Sequence, residues 1–239
     1  MMALGACALC AMNARADDKP SKWSGSGALG LTATKGNSDT LQFNANAQIA
    51  REFSAKDTAA FGVSYTFAQD KTSGVKKTTA SAVQAFGDYK HLFSERIYGG
   101  LRVDFFHDDI ADLRYRFIVG PLLGYYFIKS ETTRFSAEAG PSVVVEDVGG
   151  NDDSYMTVRV SERLEHQVNR GWKVWQTADF FPQIDETDNY LIVAEIGSES
   201  ALSSKLSLRL VLQDKYDNQP AAGKKKNDLT FITALVCKF

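Results

Sequence analysis

Residues 40–53, TLQFNANAQIAREF, alternate between apolar and polar side chains with a period of two. The odd positions carry Leu41, Phe43, Ala45, Ala47 and Ile49, and the even positions carry Gln42, Asn44, Asn46, Gln48 and Glu52. Successive side chains of a β-strand point to opposite faces, so this stretch predicts a strand with one apolar and one polar face. Residues 205–214 repeat the pattern, with leucine at every second position from Leu206 to Leu212.

The same alternation continues along the chain and is interrupted by turn-forming residues. It predicts twelve strands, at residues 23–34, 40–53, 58–69, 78–92, 95–106, 113–128, 132–146, 154–168, 171–184, 189–201, 204–216 and 228–239. Short connections such as SER at 94–96 alternate with longer ones such as DVGGNDD at 147–153. This alternation is typical of outer-membrane barrels, whose short turns lie in the periplasm. We therefore predict an all-β fold, an antiparallel transmembrane β-barrel of about twelve strands with both ends on the periplasmic side.

Charged residues of both signs lie inside the predicted strands, in phase with the polar face. The residues predicted to line the lumen are Arg102, Asp104, Arg114, Arg116, Glu138, Arg159, Arg163, Glu165, Asp179, Glu195 and Arg209. Each would cost a few kcal/mol on a lipid face, whereas a wet lumen lets opposite charges pair. Aromatic residues such as Trp23 and Phe53 cluster near strand ends, as in interfacial girdles. Glu162 shares the phase of Val160 and Leu164, which predicts either a bulge in the eighth strand or an error in its assigned register.

The first sixteen residues, MMALGACALCAMNARA, form a short apolar run that ends in Ala14-Arg15-Ala16. Small residues in an A-x-A pattern after an apolar run indicate a secretory signal peptide. We predict a cleavable signal peptide at 1–16, a barrel at 17–239, and a location in the bacterial outer membrane. Cys237 is then the one cysteine of the mature chain, so an intramolecular disulfide is excluded.

The chain ends on residues 229–239, LTFITALVCKF, with a terminal aromatic side chain. Phe239 shares one face of the predicted last strand with Cys237 and Leu235. This ending resembles the recognition signal of bacterial outer-membrane barrels, which implies that the barrel assembly machinery and periplasmic chaperones are partners. The last strand is expected to pair with the first, because an open sheet edge is not tolerated in lipid.

Residues 23–53, WSGSGALGLTATKGNSDTLQFNANAQIAREF, combine a first strand after a tryptophan, a GNSDT hairpin and a long alternating strand. The hairpin motif consists of Gly36, Asn37, Ser38, Asp39 and Thr40. Glycine and asparagine there supply positive φ for a tight reversal, and Asp39 can cap the loop. With the terminal phenylalanine, this pattern resembles the DUF481 family, the YdiY-like salt-induced outer-membrane proteins. The resemblance implies an outer-membrane barrel linked to salt stress and implies no catalytic residues.

No catalytic, cofactor-binding or metal-binding motif occurs in the mature sequence. His91, His107 and His166 have no partner at metal-ligand spacing. A formal net charge of −2 supplies no field that would recruit nucleic acid. We predict no enzyme activity, no cofactor, no metal and no nucleic-acid partner. One enzymatic alternative is a lipid hydrolase embedded in the barrel, with Ser161 and His166 as its candidate residues.

The residues predicted to line the lumen are compatible with two hypotheses about function. The predicted inward face carries small residues that would leave space, namely Gly62, Ser64, Gly120, Gly124, Gly140 and Ser142. Space favours a narrow passive channel for small solutes or ions, with a role in the envelope under salt or osmotic stress. Alternatively, the charges pair across the lumen and make a non-conducting barrel that stabilises the outer membrane.

The long loops are predicted to form a charged rim. Acidic clusters occur at residues 108–112, 146–153 and 185–188, and lysines occur at 76–77 and 224–226. Carboxylates at this density can hold Ca²⁺ or Mg²⁺ bridged to lipopolysaccharide, and lysines can contact lipid phosphates. We expect a monomer surrounded by outer-membrane lipid and lipopolysaccharide.

Overall fold

A computed structural model describes residues 23–34, 39–72 and 75–238. It contains twelve strands: β1 (Trp23–Thr34), β2 (Asp39–Glu52), β3 (Asp57–Thr72), β4 (Val75–Leu92), β5 (Ile97–Asp108), β6 (Leu113–Lys129), β7 (Thr133–Val148), β8 (Asn151–Asn169), β9 (Trp172–Pro182), β10 (Tyr190–Ala201), β11 (Leu206–Asp217) and β12 (Asn227–Lys238). Each strand pairs with the next, and β12 returns to β1 to close the barrel. The predicted all-β fold of twelve antiparallel strands is confirmed.

The barrel closes where the first strand meets the last. β1 and β12 pair antiparallel, with Gly27 opposite Cys237 and Leu29 opposite Leu235. A Cβ atom on Gly30 would overlap the backbone oxygen of Thr233, so glycine allows the two backbones to approach there. Closure pairs the last strand and leaves no sheet edge for another chain to add to.

Three predicted features lie outside the described residues. They are the signal peptide at 1–16, the hairpin residues Gly36, Asn37 and Ser38, and the terminal Phe239. The backbones of Asp39 and Thr40 lie at the start of β2, where Thr40 is opposite Thr34 of β1. Among the described residues, no helix is long and apolar enough to cross a membrane.

The outward face of the barrel is apolar and the inward face is polar. Leu29, Leu31, Leu123, Ile196 and Phe231 point outward, and each is at least 60% exposed. The buried inward side chains include glutamates, arginines, glutamines and serines. This arrangement is the reverse of a water-soluble protein and matches a barrel that meets lipid outside and polar groups inside.

Aromatic side chains gather at both ends of the strands. At the end that carries the chain termini, the Arg51 guanidinium lies 4.9 Å from the Trp23 ring and 4.8 Å from the Phe53 ring. At the opposite end, Tyr190 stacks on Tyr216 with ring centroids 5.8 Å apart. The two groups occupy the positions of interfacial girdles, where an amphipathic ring suits the boundary between apolar and polar surroundings.

Four of the short connections share one turn geometry. The Ser54 hydroxyl accepts hydrogen bonds from the amides of Lys56 and Asp57, each at 3.1 Å. The serines that accept an amide three residues later in this way are Ser54, Ser94, Ser130 and Ser203. The serine hydroxyl accepts the hydrogen bonds of backbone amides within the turn itself, so the chain can reverse direction in few residues.

The bulge predicted in β8 at Glu162 is wrong. Glu162 pairs in regular register with Ala137 of β7 and Ala178 of β9, and the irregularity of this strand lies further on, between Gln167 and Asn169. The glutamate therefore keeps its outward phase. Its Oε1 accepts a hydrogen bond from Gln176 Nε2 at 2.8 Å. An outward amide partner, and not a bulge, accommodates the charge on this face.

Replacing Glu162 by leucine is expected to raise the free energy of unfolding in lipid by about 1–2 kcal/mol, because an acid on the lipid-facing side of a barrel is destabilising. The matched control is Glu165→Leu on the inward face of the same strand. Glu165 pairs with Arg163 at 3.3 Å and with Lys173 at 3.8 Å. Its loss is expected to lower the free energy of unfolding by about 1 kcal/mol or more. Urea unfolding in liposomes, followed by tryptophan fluorescence, measures both, and equal losses in the two variants would contradict the assignment of faces.

Candidate functional site

Glu138 is the centre of the charges inside the barrel. This residue of β7 is 8% exposed. Its carboxylate accepts hydrogen bonds from Lys90 Nζ of β4, from the Tyr98 hydroxyl of β5 at 2.8 Å, and from Arg159 Nη1 of β8 at 2.9 Å. Three other strands thus send polar groups to one carboxylate of β7. Since β5 and β6 lie between β4 and β7 in the sheet, the Lys90–Glu138 pair spans about a quarter of the ring of strands inside the lumen.

The ion pairs extend from Glu138 in both directions. Arg159 Nη2 donates to Asp179 Oδ1 of β9 at 2.6 Å. On β5, Arg102 donates to both carboxylate oxygens of Asp104 and lies 3.7 Å from Asp88 of β4. We name the set Lys90, Arg102, Asp104, Glu138, Arg159 and Asp179 the lumen network. The cavity beside it has a volume of only about 50 Å³.

A second ion pair crosses the barrel nearer the long-loop end. Arg116 of β6, 5% exposed, pairs through Nε with Glu146 of β7 and through Nη2 with Asp217 of β11 at 3.1 Å. β6 and β11 lie on opposite sides of the ring of strands. A guanidinium that bridges two carboxylates makes a charge-assisted hydrogen bond to each, so Arg116 joins the two halves of the barrel.

The inward small residues do not leave an open passage. Gly62 is directly opposite Phe86, and Gly124 is directly opposite Tyr98. In both pairs, a Cβ atom added to the glycine would overlap the ring of its partner, so the ring lies over the glycine. Gly197 and Trp175 form a third pair of this kind, which the sequence had not indicated. Aromatic rings over glycines are a known way to fill a sheet face.

The other small positions are also occupied. A Cβ atom on Gly120 would meet the backbone oxygen of Pro141 and the side chain of Ser142, and one on Gly140 would meet the backbone oxygen of Pro121. These glycines allow the backbones of β6 and β7 to lie close together. Two further lumen cavities are small: the one beside Asp104 measures about 20 Å³, and the one beside Ser64 measures about 40 Å³. The lumen is therefore packed with side chains along its middle.

Ten of the eleven charges predicted for the lumen lie on the inward face of their strands. They are Arg102, Asp104, Arg116, Glu138, Arg159, Arg163, Glu165, Asp179, Glu195 and Arg209. Arg209 donates to Glu199 at 2.8 Å, and Trp175 donates to Glu195 at 2.6 Å. The lumen network is formed from these residues with the addition of Lys90.

Arg114 is the exception, and its predicted place in the lumen is wrong. Its side chain is 80% exposed and lies 3.4 Å from Asp147 at the long-loop end. The register of β6 against β7 shifts between Leu113 and Tyr115, so Arg114 falls at an irregularity where alternation no longer reports the face.

Several lumen charges were missed by sequence reasoning. They are Asp88, Lys90, Glu146, Glu199, Lys215 and Asp217. The alternation of side chains would have placed these charges on the inward face. Lys90 shares the phase of Phe86 in β4, and Lys215 shares the phase of Arg209 in β11. Extending the period of two to the ends of each strand would have found them.

A loop covers the long-loop end of the lumen. Residues 218–226, between β11 and β12, fold inward, and Ala221 is 8% exposed. Lys224 Nζ donates to the backbone oxygen of Ile110 at 2.7 Å, in the connection between β5 and β6 on the opposite side of the barrel. Gly223 has a φ of 79°, which glycine adopts without strain and which lets the loop turn back. We name residues 218–226 the cap.

Beneath the cap lies a cavity of about 530 Å³ in volume, which we name the vestibule. Its basic lining residues are Lys77, Arg116, Lys215, Lys224, Lys225 and Lys226. Asp217 and Asp228 are the acidic lining residues. The vestibule is thus positively charged overall, in a chain whose formal net charge is −2.

Carboxylates of the acidic loops accept hydrogen bonds from backbone amides and side chains of the protein. Asp108 Oδ1 accepts the amides of Ile110 at 2.9 Å and Ala111 at 3.0 Å, and Asp152 accepts the Tyr115 hydroxyl at 2.6 Å. Within residues 23–34, 39–72 and 75–238, no three His, Cys, Asp or Glu residues are grouped so that they could hold a metal ion. These acids hold the loops in place.

The candidate hydrolase residues lie on opposite faces of β8. Ser161 is inward and 8% exposed, whereas His166 is outward, with Nδ1 2.9 Å from the Thr133 hydroxyl. They cannot share a proton in this geometry, because a nucleophile and its base must lie within hydrogen-bond reach. Cys237, in the predicted assembly signal with Leu235, is a free and exposed cysteine on the outward face of β12.

The family model described as "Protein of unknown function, DUF481" matches residues 27–239. The chain belongs to the DUF481 family. The resemblance read from the hairpin and the terminal phenylalanine is confirmed at the level of the family. No curated protein matches this DUF481 chain.

Solved structures share the barrel of this DUF481 chain. The NanC porin has a TM-score of 0.54 at 6% identity, with 90% of this chain and 98% of that chain covered. The COG4313 outer membrane channel from Pseudomonas putida F1 has a TM-score of 0.53 at 11% identity, with 92% and 96% covered. The KdgM porin in complex with disordered oligogalacturonate has a TM-score of 0.50 at 6% identity, with 90% and 99% covered. At such identities the likeness shows the fold alone, that of an outer-membrane barrel.

Proposed function

We propose that the protein is a bacterial outer-membrane barrel whose lumen is closed to solutes in this conformation, and that it acts as a passive, non-enzymatic component of the envelope. The observation that carries the proposal is the pairing of charges across the lumen. Lys90 of β4 meets Glu138 of β7, and Arg116 of β6 meets Asp217 of β11. Arg116 and Asp217 lie on nearly opposite walls, and the Lys90–Glu138 pair spans a quarter of the ring, so both pairs occupy space through which a solute would pass.

An outer-membrane location is supported by the distribution of side chains. A closed barrel with an apolar outside and aromatic residues at both strand ends can satisfy its backbone hydrogen bonds inside lipid. The named barrels that share the fold are a channel of the outer membrane and two porins. Fractionation of cell envelopes tests the location, and recovery of the protein in the soluble periplasmic fraction would contradict it.

The remaining space in the middle of the lumen is too small for solutes. A cavity needs about 10–15 Å³ of volume open to a water-sized probe to hold one water. The lumen cavities of about 50, 40 and 20 Å³ therefore hold only a few waters each. A sugar or an amino acid cannot pass unless the lumen network separates. Since buried ion pairs are screened weakly by salt, separation would need a conformational change and not merely a higher ionic strength.

A narrow channel is the second candidate, and the vestibule favours it. A cavity of about 530 Å³ lies at one end of a lumen whose inward face is polar along the strands. A wide, polar cavity at one end of the lumen would serve as the entrance to a gated passage. In this alternative the lumen network is the gate, and small ions pass when it opens.

Conductance across a planar lipid bilayer separates the two candidates. The refolded mature protein is expected to give no steady current. The test variant carries serine in place of Lys90, Glu138, Arg159 and Asp179. It loses two cations and two anions together, so the ion pairs among these four residues are removed with both of their partners. It is expected to conduct, which shows that the assay detects an opened lumen. A steady current from the unmodified protein would contradict closure and favour the narrow channel.

The role under salt or osmotic stress rests on the family resemblance and is part of this proposal. A strain that lacks the protein is expected to grow normally in ordinary medium and more slowly at high salt. Complementation with the unmodified chain should restore growth. Equal growth of both strains across salt concentrations would remove the stress role while leaving the barrel and its closure intact.

A further inference from the structure

We propose that the vestibule is a binding site for a small, multiply charged soluble anion that carries phosphate or carboxylate groups. The inference does not depend on whether the lumen conducts, because the vestibule lies above the lumen network, between Arg116 and the cap. Nothing in the closed lumen requires positive charge to accumulate there. The lining residues themselves indicate what the cavity would hold.

The lysines of the vestibule outnumber its acids. Lys77, Lys215, Lys224, Lys225 and Lys226 line it, whereas Asp217 and Asp228 are its two carboxylates. Asp217 is already engaged by Arg116, which lies 3.1 Å away. Because Glu146 also pairs with Arg116, Asp217 is shared and not cancelled, and the two aspartates still leave the five ammonium groups in excess. A ligand anion would supply the missing charge in a partly enclosed space, where electrostatic attraction is stronger than in open water.

Lys215 is the central residue of the site. It points inward from β11 and is 9% exposed, so its side chain is more than nine-tenths buried. Within the described part of the chain its ammonium makes no ion pair; its contact is with the ring of Phe106, whose centroid lies 5.6 Å from Nζ. Burying a charge without an opposite charge in direct contact is unfavourable. Asp217, Asp108 and Asp228 attract the ammonium only from beyond ion-pair distance. Arg116 on the cavity floor is itself neutralised by Glu146 and Asp217, so it supplies no partner for Lys215.

The cap lysines divide into two kinds. Lys224 bonds to the backbone oxygen of Ile110, and Lys226 bonds to Asn218 Oδ1 at 2.8 Å, so both hold the cap over the mouth. Lys77, Lys215 and Lys225 are left to face a ligand. Three ammonium groups around one cavity match an anion with more than one charged group.

The volume and position of the vestibule favour a soluble ligand. Sites for small molecules have volumes of roughly 300–1,000 Å³, and the vestibule measures about 530 Å³. It lies inside the ring of strands and under the cap, whereas a lipid would approach from the apolar outside. A small phosphorylated or carboxylated solute therefore fits better than a lipopolysaccharide phosphate.

Isothermal titration calorimetry on the refolded mature chain in zwitterionic detergent tests the proposal, with pyrophosphate and citrate as probes and sucrose as the neutral control. We expect both anions to bind and sucrose not to bind. Lys215→Met should weaken anion binding at least about tenfold, the usual loss when a charged hydrogen bond is removed. Lys215→Arg should retain it. Lys56→Met, at an exposed turn at the other end of the barrel, is the matched control and should bind as the unmodified chain does.

Three outcomes would overturn the site. They are the absence of heat with either anion, an equal loss of affinity in Lys56→Met, and binding of lipid A in the same detergent without binding of pyrophosphate or citrate. Circular dichroism and the mobility shift on heating report whether Lys215→Met folds. Should it not fold, Lys225→Met on the exposed part of the cap gives the decisive measurement. It is expected to weaken binding several-fold, and an unchanged affinity would also overturn the proposal.

Discussion

Replacing Glu138 by alanine is expected to lower the free energy of unfolding of the barrel by about 3–5 kcal/mol, the usual cost of removing one partner of a buried ion pair. Glu138 accepts hydrogen bonds from Lys90, Tyr98 and Arg159. Lys90 then loses its closest partner, because Asp88 lies 4.0 Å from its ammonium. Arg159 keeps Asp179 and loses half of its pairing. The loss thus comes mainly from a cation left buried and poorly paired.

Urea unfolding of the refolded protein, followed by the mobility shift of the closed barrel on unheated gels, measures the effect. The control is the double variant Lys90→Met and Glu138→Leu, which removes both charges and keeps the volume. Because no cation is left without its carboxylate, the double variant is expected to unfold closer to the unmodified protein than Glu138→Ala does. A single variant as stable as the unmodified chain would show that Glu138 is not the centre of the lumen charges.

Replacing Gly197 by alanine is the second change with a large expected effect. The added methyl group would occupy the space of the Trp175 ring, which is 3% exposed and donates from Nε1 to Glu195 at 2.6 Å. The ring must leave its place, or β9 and β10 must separate. Either adjustment loses burial and a hydrogen bond to a carboxylate, so the free energy of unfolding should fall by about 2–4 kcal/mol.

Gly87→Ala is the matched control for Gly197→Ala. Gly87 lies within β4 on the outward face, and a Cβ atom built there meets nothing within 4 Å. Alanine should be tolerated at this position within about 0.5 kcal/mol, since it adds no overlap and restricts the unfolded backbone. Equal destabilisation of the two variants would mean that the rings do not lie over the inward glycines, and the packed lumen would have to be reconsidered.

The strands and their faces were accessible from sequence because both follow from a period of two. β1 agrees with its predicted bounds, and β2 differs by one residue at each end. Arg159 and Asp179 were assigned to the inward face from alternation alone, and the structure pairs them. The prediction failed where the backbone departs from regular pairing, as at Arg114 beside the register shift between Leu113 and Tyr115. A single-strand pattern carries no signal for such a shift.

The contents of the lumen were not accessible in the same way. Gly62, Gly124 and Gly140 look like open space in a sequence, because a sequence does not show which residue stands opposite. The register places Phe86 against Gly62 and Tyr98 against Gly124, and the space is filled. Register depends on turn geometry and on the fit of neighbouring strands, which a local pattern does not contain.

By itself, the amino-acid sequence determined that the chain forms about twelve amphipathic strands, which surface of each is apolar, and that the last strand resembles the end of an outer-membrane barrel. These properties are local, since they depend on the alternation of side chains along one strand. Only the tertiary structure decided that Arg116 meets Asp217, that Lys224 reaches Ile110, and that Lys215 is buried with no ion pair among the described residues. Each of these contacts joins residues about one hundred positions apart or depends on the curvature of the closed sheet, and closure of the ring is what brings opposite walls together.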